Sequence, residues 1–231
     1  MATKNTVIML DENRPYMDTF VVFLESNLAP VTDKPIFVGT ILSTKESMIL
    51  FNSEQMSIEN RRNQVIKSVR DCPNLEIWDY SSANVAILKQ HGIVAKHIPL
   101  ESPSWYVDLL RSFSPETKEY DVAFGDSPST RRNKILDELQ TLGVTVNITT
   151  GKWGHDKHQE IAKCRVLLNV HYADNFKMFE ASRCEPWLKL GMTVISETSM
   201  DDDPRCINAD YSVLAQVVKA HLDSLKRGEN S

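Results

Sequence analysis

No stretch of this 231-residue chain stays apolar long enough to cross a bilayer, and its first residues, MATKNTVIML, lack the apolar core of a secretory signal. A cytoplasmic setting is the expectation. Positive charge is in deficit: 26 Lys and Arg against 31 Asp and Glu leave a net charge of -5. That balance argues against a broad nucleic-acid-binding surface, although it is compatible with a local anion site. Cysteine is scarce, and Cys72, Cys164, Cys184 and Cys206 fall at no metal-ligand spacing. Three of them sit near apolar segments, which suits reduced structural thiols better than disulfides. Neither a short-period repeat nor a low-complexity segment occurs. What is present is ordinary for a globular protein, 42% hydrophobic and 25% charged residues, enough for one large domain or two small ones.

The apolar segments alternate in character along the chain. Short runs rich in branched residues read as strands at 6–10, 35–42, 47–51, 75–78 and 94–100. Helical patterns lie between them at 15–28, 59–69 and 83–90. The rhythm breaks over ESPSWYVDLLRSFSPETKE, 101–119, with its two prolines and four serines. It restarts with strands at 120–124, 144–149, 166–170 and 193–196, and helices at 129–142, 155–163, 180–190 and 212–225. Strand–helix alternation with short connections predicts an α/β chain of mostly parallel sheets. The expected organisation is two Rossmann-like domains facing across a cleft, 1–104 and 120–231, with 105–119 as linker.

Polar residues gather directly after the strands, where open α/β sheets bind ligands. The turn Gly125-Asp-Ser-Pro-Ser-Thr-Arg-Arg joins a strand to a helix. Ser127, Ser129 and the helix amides could meet phosphate oxygens, with Arg131 or Arg132 pairing a diphosphate. In the plainer reading Ser129 only caps the helix. The glycines and lysine of a Walker or dinucleotide loop are missing from this turn. A second turn, Thr149-Thr-Gly-Lys-Trp-Gly-His, brackets Trp153 with Gly151 and Gly154, so its ring could stack on a base or simply pack. His155 and His158 lack a third ligand and read as surface residues. The stretch 166–197 adds His171, Tyr172, Asp174 and Asn175 at a strand end, and Glu180, Arg183 and Glu185 on the helix that follows. Asp201, Asp202 and Asp203 look like the metal-binding aspartate pair of one class of sugar transferases, but their place after a late strand reads as a solvated acidic turn.

Taken together, FNSEQ (51–55), IWDYSSANVAILKQHGIVAKHIPL (77–100), YDVAFGDSPSTRRNKILDELQTLGVTV (120–146) and the stretch 166–197 resemble nucleotide-sugar glycosyltransferases of the GT-B fold. A nearer resemblance is to the GT-B-like rhamnosyltransferase domain of multidomain proteins from large algal viruses. The resemblance implies a donor site built by Gly125, Ser127, Ser129, Arg131, Thr149, Gly151, Trp153, His171, Tyr172, Asn175, Phe176, Arg183 and Glu185. Within it, Glu185 would bind the ribose hydroxyls and Arg183 the diphosphate. Trp153 would line the base pocket, while Asn175 and Phe176 would approach the sugar. Glu197 is a further residue expected to face the cleft. Two departures stand out: the chain is short for a GT-B enzyme, and Asp11-Glu12-Asn13-Arg14 replaces the glycine-rich loop after the first strand.

The implied activity is transfer of a sugar, L-rhamnose in the nearer likeness, from a UDP-type donor to a glycan hydroxyl. It would be inverting and need neither metal nor other cofactor. The base that takes the acceptor proton is expected after the first strand, as Asp11 or Glu12, with Glu54 in reserve. Asp11 and Glu12 beside Pro15 could equally serve only to complement a helix dipole. The implied setting is part of a longer multidomain chain, in the host cytoplasm if viral, with no nucleic-acid partner and no membrane span. Two alternatives stay open, a degenerate nucleotide-binding module of the same fold and a sugar-nucleotide epimerase.

Overall fold

The computed structural model describes residues 8–10, 18–28, 32–40, 44–125 and 127–228. Asp11 and Glu12 lie outside the described residues. The chain divides into two compact units, one formed by Met1–Pro103 with Asn175–Arg183 and the other by Ser104–Asp174 with Cys184–Ser231.

The first unit holds β1 (Ile8–Leu10), α1 (Asp18–Phe23) running into a π-helical turn at Leu24–Leu28, β2 (Ile36–Gly39) and β3 (Met48–Asn52). It continues with α2 (Glu59–Asp71), β4 (Leu75–Asp79), α3 (Ser82–Gln90) and β5 (Ala95–His97). Its strands pair in parallel in chain order, β1-β2-β3-β4-β5. All five residues of β3 are buried, as expected of a strand covered on both faces. Ile49 and Phe51 meet Phe20, Phe23 and Leu24 on one face. Leu50, between them in sequence, meets Met56, Val65 and Leu88 on the other. The two-residue period of a strand thus feeds two separate layers of core.

The second unit holds α4 (Ser104–Ser112), β6 (Tyr120–Phe124), α5 (Thr130–Thr141), β7 (Val146–Ile148) and α6 (Gly154–Ala162). It ends with β8 (Cys164–Asn169), α7 (Ala181–Leu190), β9 (Thr193–Glu197), β10 (Ile207–Ala209) and α8 (Leu214–Gly228). The first three residues of α7 belong to the first unit. The sheet order is β10-β9-β8-β6-β7, with every pair parallel. Val122, Phe124, Val166, Leu168 and Ile195 form one core layer with Ile135 and Leu139 of α5 and Leu214, Val218 and Leu222 of α8. On the opposite side of the sheet Ala123, Leu167 and Val194 are fully buried too. From β6 the chain steps outward to β7, then returns to β8 on the other flank. The connections therefore diverge between β6 and β8, and such a switch point opens a crevice at the carboxyl ends of the strands.

Two features differ from the sequence expectation. Residues 105–119 are not a free linker, because Tyr106, Val107 and Leu110 of α4 are buried within the second unit. β10 escapes the sequence reading because three residues between Pro204 and Tyr211 are too few to show a period. The glycine expected to close α7 does so: Gly191 takes a φ of 93°, a conformation other residues adopt only under strain. Among the described residues, no helix is long and apolar enough to cross a membrane.

Candidate functional site

The crevice edge of the second unit is built first by the turn after β6. Ser129 caps α5, its hydroxyl accepting the Arg132 amide at 3.2 Å. The Arg132 guanidinium does not reach outward. It is 3% exposed, donates to the Val170 carbonyl at 2.8 Å and to the Ser127 carbonyl at 2.9 Å, and so ties the turn after β6 to the end of β8. Arg131, expected on a diphosphate, holds both Glu197 oxygens at 2.5 Å and Asp174 at 2.7 Å. Its guanidinium also stacks 3.7 Å from the centre of the Tyr211 ring. Both arginines are thus engaged in holding the edge together.

A different cation stands at the ends of β6 and β7. A Cβ built on Gly125 would lie 2.7 Å from Lys157 Cε, 3.3 Å from Lys157 Nζ and 2.9 Å from Thr149 Oγ1. Position 125 therefore admits nothing larger than glycine without displacing one of them. Thr149 is fully buried, and its hydroxyl has no hydrogen-bond partner among the described residues. A buried hydroxyl left unpaired costs about 1–3 kcal/mol, which makes it a place where a ligand atom would be welcome. Gly151, at φ 82°, turns the chain toward α6. Trp153 precedes that helix with no side-chain cap, is 44% exposed, and lies 5.7 Å from Lys157 Nζ. Asp156 in the first turn already offsets part of the helix dipole there.

The histidines on α6 are packing residues. His158 touches Tyr106 and Trp187 edge-on, and burial, with Lys157 and His155 nearby, pushes its pKa down to about 4. His155 packs edge-on against Phe113. The described residues contain no group of three or more His, Cys, Asp or Glu placed to hold a metal. Asp202 accepts the Ser199 amide at 2.6 Å and Asp203 accepts Arg205, so the acidic turn is closed by its own bonds.

At the ends of β8 and β9, His171 is 1% exposed, and its amide donates to Glu197 Oε2 at 3.0 Å. Tyr172 is 42% exposed, with the Arg132 guanidinium 5.5 Å from its ring centre. Glu185 is buried, with Arg205 4.0 Å from its carboxylate. Three expected donor residues group elsewhere: Asn175, Phe176 and Arg183 belong to the first unit. There the Asn175 carbonyl accepts from Ser57 at 2.8 Å, the Met178 amide donates to Gln55 at 3.1 Å, and Arg183 pairs with Glu180. Glu54 is also in that unit and pairs with Arg61 at 2.5 Å.

Sequence reasoning missed Lys157 and Ser199. Lys157 lies one turn into the helix after β7 and Ser199 two residues beyond β9, positions that become telling only once the strand order is known.

No family model matches the chain, and no solved structure matches it. It is 35% identical over 208 residues to "Uncharacterized protein L140" of Acanthamoeba polyphaga mimivirus, covering 82% of this chain and 67% of that protein. It is 31% identical over 163 residues to "Uncharacterized protein L137" of the same virus, covering 70% of this chain but 22% of the relative. A third relative there, "Uncharacterized protein R358", is 30% identical over 162 residues and is spanned over 54% of its length. By its likeness to the first of these, the chain belongs to the family of the mimivirus protein L140.

Proposed function

We propose that the second unit binds a nucleoside-diphosphate sugar and that the chain is a glycosyltransferase of GT-B type, moving the sugar to a glycan hydroxyl without a metal. The observation that carries the nucleotide half is the group at the ends of β6 and β7. A buried unpaired Thr149 hydroxyl and the Lys157 side chain converge over Gly125, beside the start of α6 and the half-exposed face of Trp153. A hydroxyl, an ammonium and helix amides are what a phosphate seeks, and an indole face suits a base. The leaving diphosphate then has Lys157 as its cation, because Arg131 is committed to Glu197 and Asp174.

The glycosyl-transfer half rests on the resemblance over 51–55, 77–100, 120–146 and 166–197. With it come L-rhamnose and uridine as sugar and base, inversion, and Asp11 or Glu12 as the base that takes the acceptor proton. Calorimetric titration of the full chain with UDP tests the binding half, and wild-type binding should weaken about tenfold in Lys157→Ala, the loss of roughly one charge-assisted hydrogen bond. No heat from UDP, GDP or dTDP at millimolar concentration would sink the nucleotide reading. Release of the diphosphate from UDP-rhamnose, followed with and without a glycan acceptor, tests the transfer half. Binding with an unchanged donor leaves a binding module, conversion of the donor to an isomeric nucleotide sugar leaves an epimerase, and release of the diphosphate to water leaves a hydrolase.

A further inference from the structure

At the ends of β8 and β9 lies an arrangement apart from the Thr149 and Lys157 group on which the nucleotide reading rests. Ser199 Oγ is 3.0 Å from His171 Nε2, and His171 Nδ1 is 3.6 Å from Glu197 Oε1. Glu197 is itself fixed, both oxygens held by Arg131 at 2.5 Å and one of them also taking the His171 amide at 3.0 Å. Hydroxyl, imidazole and carboxylate in that order are the parts of an activated serine. The carboxylate decides the tautomer. Glu197 accepts from Arg131 through both oxygens, so the Nδ1 that faces this acceptor carries the proton and Nε2 accepts from Ser199. The opposite tautomer would set a bare nitrogen against the carboxylate.

Exposure runs the right way along this row. His171 is 1% exposed and Glu197 6%, while Ser199 is half-buried and its neighbour Met200 is 60% exposed. Ser199 is therefore the most open member of the row, with the imidazole sealed behind it. Ser199 also lies 3.3 Å from the Glu197 carbonyl, a competing acceptor for the same proton. Its amide is taken by Asp202 at 2.6 Å and cannot stabilise an oxyanion. That restricts the substrate to esters whose alcohol leaves readily.

We propose that Ser199 is a nucleophile for small activated carboxylic esters, with His171 as its base and Glu197 as a positioning residue. Ser199 Oγ bonds to the carbonyl carbon as its proton passes to His171 Nε2. The bond from that carbon to the leaving oxygen breaks, and the alcohol departs with the proton. Water, giving a proton to Nε2, then attacks the acyl-serine, and that proton returns to Ser199 as the acid leaves. The sum is ester and water to acid and alcohol.

The test uses the full chain and a fluorophosphonate probe, which transfers its phosphonyl group to an activated serine with loss of fluoride. Peptide mass mapping should place the adduct on Ser199, Ser199→Ala should abolish it, and His171→Gln should slow it at least a hundredfold. Absence of the adduct, or an unchanged rate in His171→Gln with its melting transition intact, overturns the proposal. If His171→Gln does not fold, Ser199→Cys decides. A thiol beside His171 should react with iodoacetamide at pH 6 at least tenfold faster than free cysteine, and an equal or slower rate overturns the proposal.

Discussion

Thr149 and His158 show how single side chains in the second unit carry opposite kinds of cost. The Thr149 hydroxyl is buried without a partner among the described residues, so removing it should relieve the folded state. Thr149→Val keeps the shape, and thermal denaturation should show a protein as stable as wild type or up to about 1 kcal/mol more stable. The same substitution should weaken UDP binding about tenfold by calorimetry if the hydroxyl meets a phosphate oxygen. A loss of stability with binding unchanged would show that the hydroxyl serves the fold. His158 is half-buried and neutral, its pKa pushed from 6.5 to about 4 chiefly by desolvation. The unfolded chain therefore binds more protons between pH 6.5 and pH 4, so stability is full above 6.5 and falls as pH drops through that window. At about 1.4 kcal/mol per pH unit the loss is on the order of 3 kcal/mol at most. Glu160, held down to about 2 first by Asn147 and then by Lys152, acts in a lower window, from 4.5 to about 2. Urea denaturation at pH 7 and pH 4.5 should show the upper loss in wild type. It should largely vanish in His158→Gln.

Among the elements, α5 is the one that fastens the ligand edge. Arg132 reaches from its first turn to carbonyls on both sides of the switch point. Two charge-assisted bonds, one buried to the Val170 carbonyl and one part-buried to the Ser127 carbonyl, make Arg132→Ala a loss of about 2–4 kcal/mol, read as a lower urea midpoint with unchanged slope. Lys134, exposed on the same helix, should change the midpoint by less than about 0.5 kcal/mol when replaced by Ala. These roles also mark the limit of what the sequence could tell. The strands at 120–124 and 166–170 were legible because a strand buried on both faces must be a short branched apolar run. So was the polar character of the loops that follow them. The partners were not legible. Arg131 finds Glu197 sixty-six positions away, and Lys157 comes to lie over Gly125 only because of the order β9-β8-β6-β7. The apolar helix within 101–119 was legible, but its place was not, because the prolines and serines around it read as a linker while α4 packs into the second unit.

At the scale of the whole molecule, nucleotide binding and sugar transfer should come apart under mutation. A ligand that binds only the folded state at a hundred times its dissociation constant adds about 2.7 kcal/mol. For a chain of this size that is a rise of roughly 5–10 °C in the transition that unfolds the second unit. UDP should give this shift in the wild type, and Thr149→Val, binding about tenfold more weakly, should lose about half of it at the same concentration. Asp11, outside the described residues, is proposed for the chemistry and not for that binding. Asp11→Ala should therefore keep the full shift with UDP while losing at least about a thousandfold in sugar transfer, the upper range for removal of a general base. Glu12→Ala should keep the shift as well, and whichever of the two variants retains turnover is excluded as the base. If both retain turnover, the proton must go to a group elsewhere in the chain, and Glu54, tied to Arg61 in the first unit, becomes the next residue to change.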